Sequence, residues 1–265
     1  MREKTDASKL RDGRGILNGD VYEAWKTARE SASIGTASAV YDPIQRRTVN
    51  LLSVGECKVF WVLRYMITGR ILEQCPMDRE GVDAACDALG IRRYSKILST
   101  DFLVEKPNGG AVAISVKPNA SVFSKDKRNY KRNVNRHNVE ASYWELRGVH
   151  HHLIYSDTID IDYVGNIKDV MRFWDDMWVR GDPANMLMHM IAHHVIQIPL
   201  DQGRLPFKVI AQQIKVEDMY ETYQRYKDDP DFQGWIIDLP RRHAIPCAQP
   251  PSFDQPDNQH VILAD

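Results

Sequence analysis

Two strands joined by a turn would bring an acid and a base together in the segment STDFLVEKPNGGAVAISVKP (99–118). The breakers PNGG (107–110) predict the turn, and the apolar, partly β-branched flanks predict buried strands. Folded about that turn, Asp101 falls roughly opposite Ser115 and Lys117, which share a face because strand side chains alternate. A carboxylate, a hydroxyl and an ammonium would then meet at one end of a sheet.

These residue types suit phosphodiester hydrolysis. The reaction needs an activated water, a Lewis acid on the phosphoryl oxygen and neutralisation of charge in the transition state. Mg²⁺ binds through one or two carboxylates and keeps several waters, so Glu56 and Asp101 are candidate ligands, together with the Val116 carbonyl. Lys117 could orient or deprotonate the attacking water. Two structural alternatives stay open: Asp101 pairs with Lys117, and Glu56 completes a helix cap with Ser53.

Charge is distributed unevenly, although the net charge of the chain is −1. Residues 1–165 hold 25 Lys/Arg and 21 Asp/Glu, a net of +4, whereas residues 166–265 hold 10 and 15, a net of −5. Seven basic residues and one acid lie within 117–136, a cluster able to contact phosphates. A solvated basic face is the equally weighted alternative. The candidate DNA-binding residues are Arg46, Arg47, Lys125, Lys127, Arg128, Lys131, Arg132 and Arg136.

Composition disfavours several classes of protein. Of the 265 residues, 43% are hydrophobic and 27% are charged, as in a soluble protein with a sizeable core. No apolar run reaches the roughly 18 residues of a membrane span, and the N-terminal segment lacks the apolar centre of a signal peptide. We therefore expect a cytoplasmic protein with no membrane partner. The four cysteines stand far apart, which disfavours a zinc ribbon or a disulfide framework.

The elements that would position the candidate residues follow an α/β pattern. Alternation and helical spacing predict a hairpin over 39–52, helix 53–70, strand 71–77, a helix and loop over 79–96, the hairpin described above, helix 124–148 and strand 149–157. This order describes a mixed sheet flanked by helices, which we assign to a first domain of residues 1–165.

The second region is mostly helical. The expected helices begin at Asn166, as a cap, and at Pro183 after Asp182, and two shorter ones cover 206–215 and 217–227, with 234–239 as a strand or wing. This pattern predicts a winged-helix-like domain over 166–243. The Pro-, Gln- and Asp-rich remainder, 244–265, is expected to be extended or disordered.

Several motifs, in order, resemble the TnsA family, the endonuclease subunits of heteromeric bacterial cut-and-paste transposases. The most specific pair is STDFLV followed by AISVKP, and Glu56 stands where the family places its first acid. The resemblance spans most of residues 10–160. Its other pieces are LRDGRG (10–15) with Tyr22 and Trp25, VYDPIQRRTVNLLSVGE (40–56), ILEQCP (71–76) and EASYW (140–144) before a His-rich strand.

The resemblance implies a restriction-endonuclease-like core with a PD-(D/E)XK-type site that binds Mg²⁺, or Mn²⁺ in its place. Glu56, Asp101 and Lys117 match the catalytic positions of the family. Ser115 stands where the broad superfamily has Asp or Glu and the best-known family member has Gln. The third metal ligand is therefore left open between Ser115, water and the Val116 carbonyl. A further residue, Glu140, is a candidate ligand of a second metal, with an exposed helical glutamate as the alternative.

The resemblance also implies a reaction and partners. Such a subunit cuts the non-transferred strand at the 5′ ends of the transposon, beside a TnsB-like DDE transposase that cuts and joins the 3′ ends and a TnsC-like ATPase regulator. The acidic residues Glu217, Asp218, Glu221, Asp228 and Asp229 disfavour contact of the C-terminal region with phosphates, so we expect it to dock the regulator ATPase or the partner transposase. A stand-alone restriction or repair nuclease and an inactive scaffold bridging DNA and protein are the alternatives.

Two groups of histidines have structural explanations. The run HHH (150–152) would alternate between the faces of a strand, so its members do not chelate together. His189 and His193 share a helical face, as in zinc proteases, but the glutamate expected after the first histidine is replaced by Met190. We therefore expect structural roles for both groups.

Overall fold

The computed structural model describes residues 4–30, 36–106, 109–179 and 181–237. The elements, in chain order, are α1 (Asp6–Arg11), β1 (Leu17–Asn18), β2 (Val21–Tyr22), β3 (Ser38–Asp42), β4 (Arg47–Leu51), α2 (Val54–Met66), β5 (Ile71–Pro76), α3 (Arg79–Ala88), β6 (Ser99–Glu105), β7 (Ala111–Lys117), α4 (Tyr130–Glu145), β8 (His150–Tyr155), α5 (Ile161–Met171), α6 (Pro183–Ala192), α7 (Phe207–Gln212) and α8 (Val216–Asp228). None of these helices is long and apolar enough to cross a membrane.

Four strands form the central sheet in the order β5–β6–β7–β8. Strand β6 runs antiparallel to both of its neighbours, whereas β8 lies parallel to β7, so the sheet is mixed. A parallel step needs a crossover connection, and α4 lies within that crossover. The hairpins β1–β2 and β3–β4 form two separate two-stranded sheets.

The two faces of the central sheet pack against different helices. Phe60 of α2 lies in one buried cluster with Phe102 and Ile114, while α3 and α4 bury Val82 and Val139 in a second cluster on the opposite face. Each such side chain contributes roughly 1.5–3 kcal/mol on burial. The prediction of an α/β fold with a mixed sheet flanked by helices is confirmed. This layering is consistent with a restriction-endonuclease-like fold.

The helices that follow the sheet share a core of their own. Ile167 of α5, Leu187 of α6, Ile210 of α7 and Met219 of α8 are all buried in one cluster. Val62 of α2 belongs to the same cluster, so α2 packs against the sheet on one side and against α5 on the other. This shared helix links the helical region to the wall of the candidate site.

The predicted start of α5 at Asn166 is wrong. The helix begins at Ile161, and Asp160 caps it by accepting hydrogen bonds from the backbone N–H groups of Asp162 and Tyr163 at 2.7 and 3.0 Å. Asn166 is fully buried within the helix, and its amide nitrogen donates to the Leu200 carbonyl at 2.7 Å. Aspartate is a favoured N-cap residue because its carboxylate accepts hydrogen bonds from the free N–H groups of the first helical turn.

Other predictions on this part of the chain remain predictions. The proposed boundary between residues 165 and 166 falls inside α5, and the division into domains is otherwise untested. The described part of the strand predicted over 234–239 forms one isolated bridge, Gln197 to Ile236, and the winged-helix-like arrangement stays a prediction. The predicted turn residues Pro107 and Asn108 and the tail 244–265 lie outside the described residues.

Candidate active site

Asp101 and Lys117 stand at the same end of neighbouring strands. The register pairs Phe102 of β6 with Ile114 of β7, so Asp101 is level with Ser115, as the hairpin predicts. Asp101 Oδ2 accepts a hydrogen bond from the Val116 backbone N–H at 2.7 Å. Lys117 Nζ donates to the Val116 carbonyl at 3.2 Å rather than forming a direct ion pair with Asp101.

Glu56 reaches the same place from the first turn of α2. Ser53 Oγ caps this helix by accepting from the Glu56 N–H at 3.0 Å, so the predicted helix cap is present. The Glu56 carboxylate accepts from the Leu52 N–H at 2.9 Å and from the Ser53 hydroxyl at 3.0 Å. Burial and the nearby charge of Asp101 raise the pKa of Glu56 to about 7. The capping residue therefore also carries a strongly perturbed carboxyl group.

Gln74 joins the two carboxylates. Its amide nitrogen lies 3.2 Å from Glu56 Oε2 and 3.4 Å from Asp101 Oδ1, and its amide oxygen accepts from the Ser99 hydroxyl at 3.1 Å. Burial, with the charge of Glu140 adding to it, raises the pKa of Asp101 despite the opposing effect of Lys117. Two acids and a lysine therefore share one electrostatic environment.

A cavity of about 830 Å³ opens over this group. Glu56, Asp101, Val116 and Lys117 line it, and Lys26, Lys58 and Asn119 are among the other lining residues. Lys58 Nζ donates to the carbonyls of Ser156 and Ile159 at 3.3 and 2.7 Å. The cavity wall thus presents acids next to cations, an arrangement suited to a bound cation and an anionic substrate.

Ser115 does not line this cavity, in contrast to Val116 and Lys117. Its hydroxyl lies 3.0 Å from His151 Nε2, inside the protein. Burial lowers the pKa of His151 to about 4, so this histidine is neutral at neutral pH. The geometry therefore does not favour Ser115 among the predicted metal ligands.

Glu140 lies next to Ser115, on α4. It is buried, and Arg136 Nε stands 3.6 Å from its carboxylate. Burial raises the pKa of Glu140, but the charges of Arg136 and Lys117 outweigh it, so the pKa is lowered. Glu140 is therefore not the exposed glutamate of the alternative interpretation. Its Oε1 atom is buried without a hydrogen-bond partner among the described residues, and its role as a ligand of a second metal stays a prediction.

The oxygen atoms at the cavity fit a magnesium ion better than a zinc ion. Among the described residues, no group of three or more His, Cys, Asp and Glu side chains is arranged to hold a metal ion. Glu56 and Asp101 supply two carboxylates and Val116 a carbonyl at the cavity wall. Mg²⁺ takes one or two protein carboxylates and keeps several waters, whereas structural zinc takes four nitrogen or sulfur ligands. A cation would also offset the effects of burial and of the Asp101 charge, which together raise the pKa of Glu56.

The eight candidate DNA-binding residues fall into two sets. Lys125, Lys127, Arg128, Lys131 and Arg132 are exposed along the segment that leads into α4, and Arg46 is 75% exposed, 3.5 Å from Asp175. Arg47 instead makes two hydrogen bonds to the buried Glu73, at 3.1 and 2.6 Å. Arg136 donates to the Ser99 carbonyl at 2.7 Å. The first set is available to phosphates, and the guanidinium groups of the second set are held by the fold.

The histidines on α6 have structural roles. His189 Nδ1 is hydrogen-bonded to the Phe173 carbonyl at 2.7 Å, and His193 Nε2 to the Trp174 carbonyl at 2.8 Å. The ring of His193 also stacks on Trp174 with centroids 4.0 Å apart. Each ring thus ties α6 to the chain that follows α5, which agrees with the interpretation as core residues.

Comparison with known proteins places this geometry in a family context. The family described as TnsA-like endonuclease N terminal matches residues 73–156. The Tn7 transposition protein TnsA of Escherichia coli is 29% identical over 151 residues, which cover 54% of this chain and 53% of that relative. Residues 73–156 are therefore similar to the N-terminal domain of TnsA-like endonucleases. The chain matches about half the length of the relative, and Asp101 and Lys117 lie inside the TnsA-like family match, whereas Glu56 precedes it.

The sequence did not identify Gln74 as a site residue. It lies within the TnsA-like family match, and the resemblance includes it only as part of the motif ILEQCP. Its signal was present, because Glu73 and Gln74 are the two polar residues of a short strand, ILEQCP, that is otherwise suited to burial on both faces. Polar side chains in such a strand need buried partners. Those partners are Arg47 for Glu73, and Glu56 and Asp101 for Gln74.

Proposed function

We propose that this protein is a Mg²⁺-dependent DNA endonuclease subunit of a transposase, which cleaves the non-transferred strand at the 5′ ends of its transposon. The observation that carries the proposal is the meeting of Glu56, Asp101 and Lys117 at one cavity in a TnsA-like chain. An inactive scaffold has no need of two carboxylates held together at raised pKa, because that arrangement opposes folding.

The residues divide the work of hydrolysis. Glu56, Asp101 and the Val116 carbonyl would hold the metal ion. When bound, Mg²⁺, or Mn²⁺ in its place, acts as a Lewis acid on a phosphoryl oxygen and lowers the pKa of its bound water. Lys117, whose Nζ lies at the Val116 carbonyl, would orient the attacking water and offset the charge that develops on the phosphate. As the water oxygen bonds to phosphorus, the phosphodiester P–O bond breaks.

The exposed basic residues extend from this cavity. Pro118 and Asn119 line the cavity, and Lys125, Lys127 and Lys131 follow them on the segment leading into α4. We propose that the DNA backbone follows this segment away from the cavity. Charged contacts of this kind fix the position of the duplex and carry no base information.

The C-terminal region is acidic, in contrast to the basic segment that leads into α4. Glu217 and Asp218 are exposed in the first turn of α8, and Asp228 and Asp229 are exposed at its end. We propose that this region docks a TnsC-like ATPase regulator or a TnsB-like transposase rather than DNA. Work on chromosomal DNA would place the assembly in the cytoplasm.

The test is an assembled reaction. Transposon-end DNA, the partner transposase and Mg²⁺ are combined with the wild type, Asp101→Ala or Lys117→Ala, and the 5′ and 3′ cuts are measured separately. We expect both variants to lose 5′-end cleavage by a factor of a hundred or more while 3′-end cleavage continues. Lys96→Ala, at an exposed lysine away from the cavity, is the matched control. Unchanged 5′ cleavage in both variants would refute the assignment, and nicking without any partner would favour a stand-alone nuclease.

A further inference from the structure

The backbone at Gln74 has an unusual conformation for its position. It lies in the middle of β5, where the ladder pairs Glu73 with Phe102 and Cys75 with Thr100 but forms no pair at Gln74. Its φ angle is +48°, a region that side chains other than Gly, Asn and Asp rarely adopt. Backbone conformations of this kind persist where the surrounding contacts hold them, and they concentrate at functional sites.

Gln74 is held by contacts of its backbone and of its side chain. Its carbonyl accepts a hydrogen bond from the Trp25 N–H at 3.3 Å, and its amide group contacts Ser99, Glu56 and Asp101. The residue is 2% exposed, and it stands behind the carboxylates rather than in the cavity wall. The hydroxyl of Ser99, itself buried, donates to the amide oxygen at 3.1 Å and so directs the amide nitrogen toward the acids. An amide nitrogen has two N–H donors, and Glu56 and Asp101 each lie within hydrogen-bonding distance of it.

We propose that Gln74 is a positioning residue for the two carboxylates, holding Glu56 and Asp101 side by side at the spacing a divalent cation needs. This inference rests on the proposed function. A neutral donor suits the role, because a lysine or arginine here would compete with the cation, and a third carboxylate would add repulsion. The other carboxylate oxygens remain oriented by the Ser53 hydroxyl and the Val116 N–H.

The site departs from the expected ligand pattern at Ser115, and Gln74 supplies an explanation. Ser115 faces His151 and does not line the cavity, so the strand that carries Lys117 contributes no third side-chain ligand. The Leu52 N–H, the Ser53 hydroxyl and the Val116 N–H each orient only one of the two carboxylates. The buried amide of Gln74 is in hydrogen-bonding range of both.

The test measures cation binding without cleavage. Mn²⁺ is titrated calorimetrically into the purified full chain, and the thermal midpoint of each variant is recorded. Gln74→Asn shortens the side chain by one methylene while asparagine tolerates positive φ, so the backbone is retained. Ser99→Ala removes the hydrogen bond that orients the amide and leaves residue 74 untouched. Gln213→Met, at an exposed glutamine, is the matched control.

We expect Gln74→Asn to weaken Mn²⁺ binding about tenfold and Ser99→Ala about threefold, with Gln213→Met within twofold of the wild type. The Mn²⁺ concentration that gives half-maximal 5′-end cleavage should rise by the same factors. A purely structural role would lower the thermal midpoint and leave the affinity of the folded protein unchanged, and that result overturns the proposal. If the wild type binds no Mn²⁺, the metal dependence of the proposed function is wrong. If the wild type binds Mn²⁺ and the variants bind it equally well, only the proposal for Gln74 is wrong.

Discussion

At the scale of single residues, Glu56 serves two structural demands that conflict. As the third residue after the cap of α2, it completes the reciprocal contact with Ser53 that starts the helix. As a buried carboxyl group near Asp101, it pays an electrostatic penalty that raises its pKa to about 7. Under the proposed function, a cation bound by both acids would offset this penalty.

This penalty predicts how the metal-free protein responds to pH. The pKa of Glu56 rises from an ordinary value of 4.5 to about 7 on folding, so between these values the folded state binds more protons than the unfolded state. The contribution of protonated Glu56 to the free energy of unfolding is therefore complete below about pH 4.5, and it is lost as the pH rises through about 7. Glu56→Gln should therefore stabilise the metal-free protein at pH 8 by on the order of 2 kcal/mol.

The measurement is urea denaturation of the wild type and Glu56→Gln at pH 5 and pH 8. We expect the two proteins to converge at pH 5 and to diverge at pH 8, and added Mg²⁺ should restore stability to the wild type only. Equal pH dependence in the two proteins would show that Glu56 titrates normally in the folded state.

The sequence identified most of these residues and missed how they are joined. Asp101, Lys117 and Glu56 stand out because charged residues beside apolar strands need partners. The hydroxyl of Ser115 could not be assigned from strand alternation, since its partner His151 comes from β8, a neighbouring strand 36 residues further along the chain. The polar residues of ILEQCP indicate that Gln74 has buried partners, but those partners could not be assigned because its positive φ breaks the alternation of side chains along the strand.

At the scale of elements, the start of α2 is the part of the fold on which the site depends most. Ser53 Oγ accepts from the Glu56 N–H and its hydroxyl donates to the Glu56 carboxylate, so one side chain both caps the helix and orients an acid. Losing such a cap costs about 1 kcal/mol. Helix α5 offers a comparison, because Asp160 caps it through two backbone N–H groups.

We predict that Ser53→Ala and Asp160→Ala destabilise the protein to a similar extent, about 1 kcal/mol each, measured by urea denaturation. Only Ser53→Ala should also raise the Mg²⁺ concentration required for 5′-end cleavage, because only Ser53 contacts a carboxylate of the cavity. If both variants, or neither, shift the Mg²⁺ requirement, the cap of α2 has no specific role in the site.

The segment leading into α4 is a second element to which the proposed function gives a role. Lys125, Lys127 and Lys131 are exposed to solvent. Replacing all three with alanine should weaken binding to transposon-end DNA and reduce the slope of log affinity against log salt concentration by about 2–3. Filter binding between 50 and 200 mM salt measures this slope, with Lys96→Ala as the control. An unchanged slope would place the DNA elsewhere.

The predicted order of elements was largely confirmed, while their ends were not. Helix α2 begins at Val54 after the predicted cap, because Ser53 and Glu56 provide a local signal. The helix predicted over 124–148 covers only Tyr130–Glu145, since the preceding basic residues lie in turns that helical spacing does not reveal. Helix α5 begins at Ile161 because a cap six residues earlier was available at Asp160. Capping residues and turns thus determine where these helices begin, which the spacing of apolar residues does not predict.

At the scale of the whole molecule, opposite charges occupy opposite parts of the chain. The basic excess lies beside the cavity, between β7 and α4, and the acidic excess lies in the helical region, with Glu217, Asp218 and Glu221 exposed on α8. DNA bound at the cavity would be repelled by α8, which keeps that helix clear of phosphates. A basic protein surface is attracted to it for the same reason, and α2 connects the two regions through Val62.

This arrangement predicts separate effects of charge reversal on protein and DNA binding. Glu217→Lys with Asp218→Lys should weaken a pull-down with the regulator ATPase at least fivefold, because like charges then face each other across the interface. Affinity for transposon-end DNA should stay the same or increase slightly. Glu80→Lys is the matched control, since Glu80 is likewise an exposed acid in the first turn of a helix, α3, outside the acidic region. Reduced DNA affinity with normal regulator binding would instead identify α8 as part of the DNA interface.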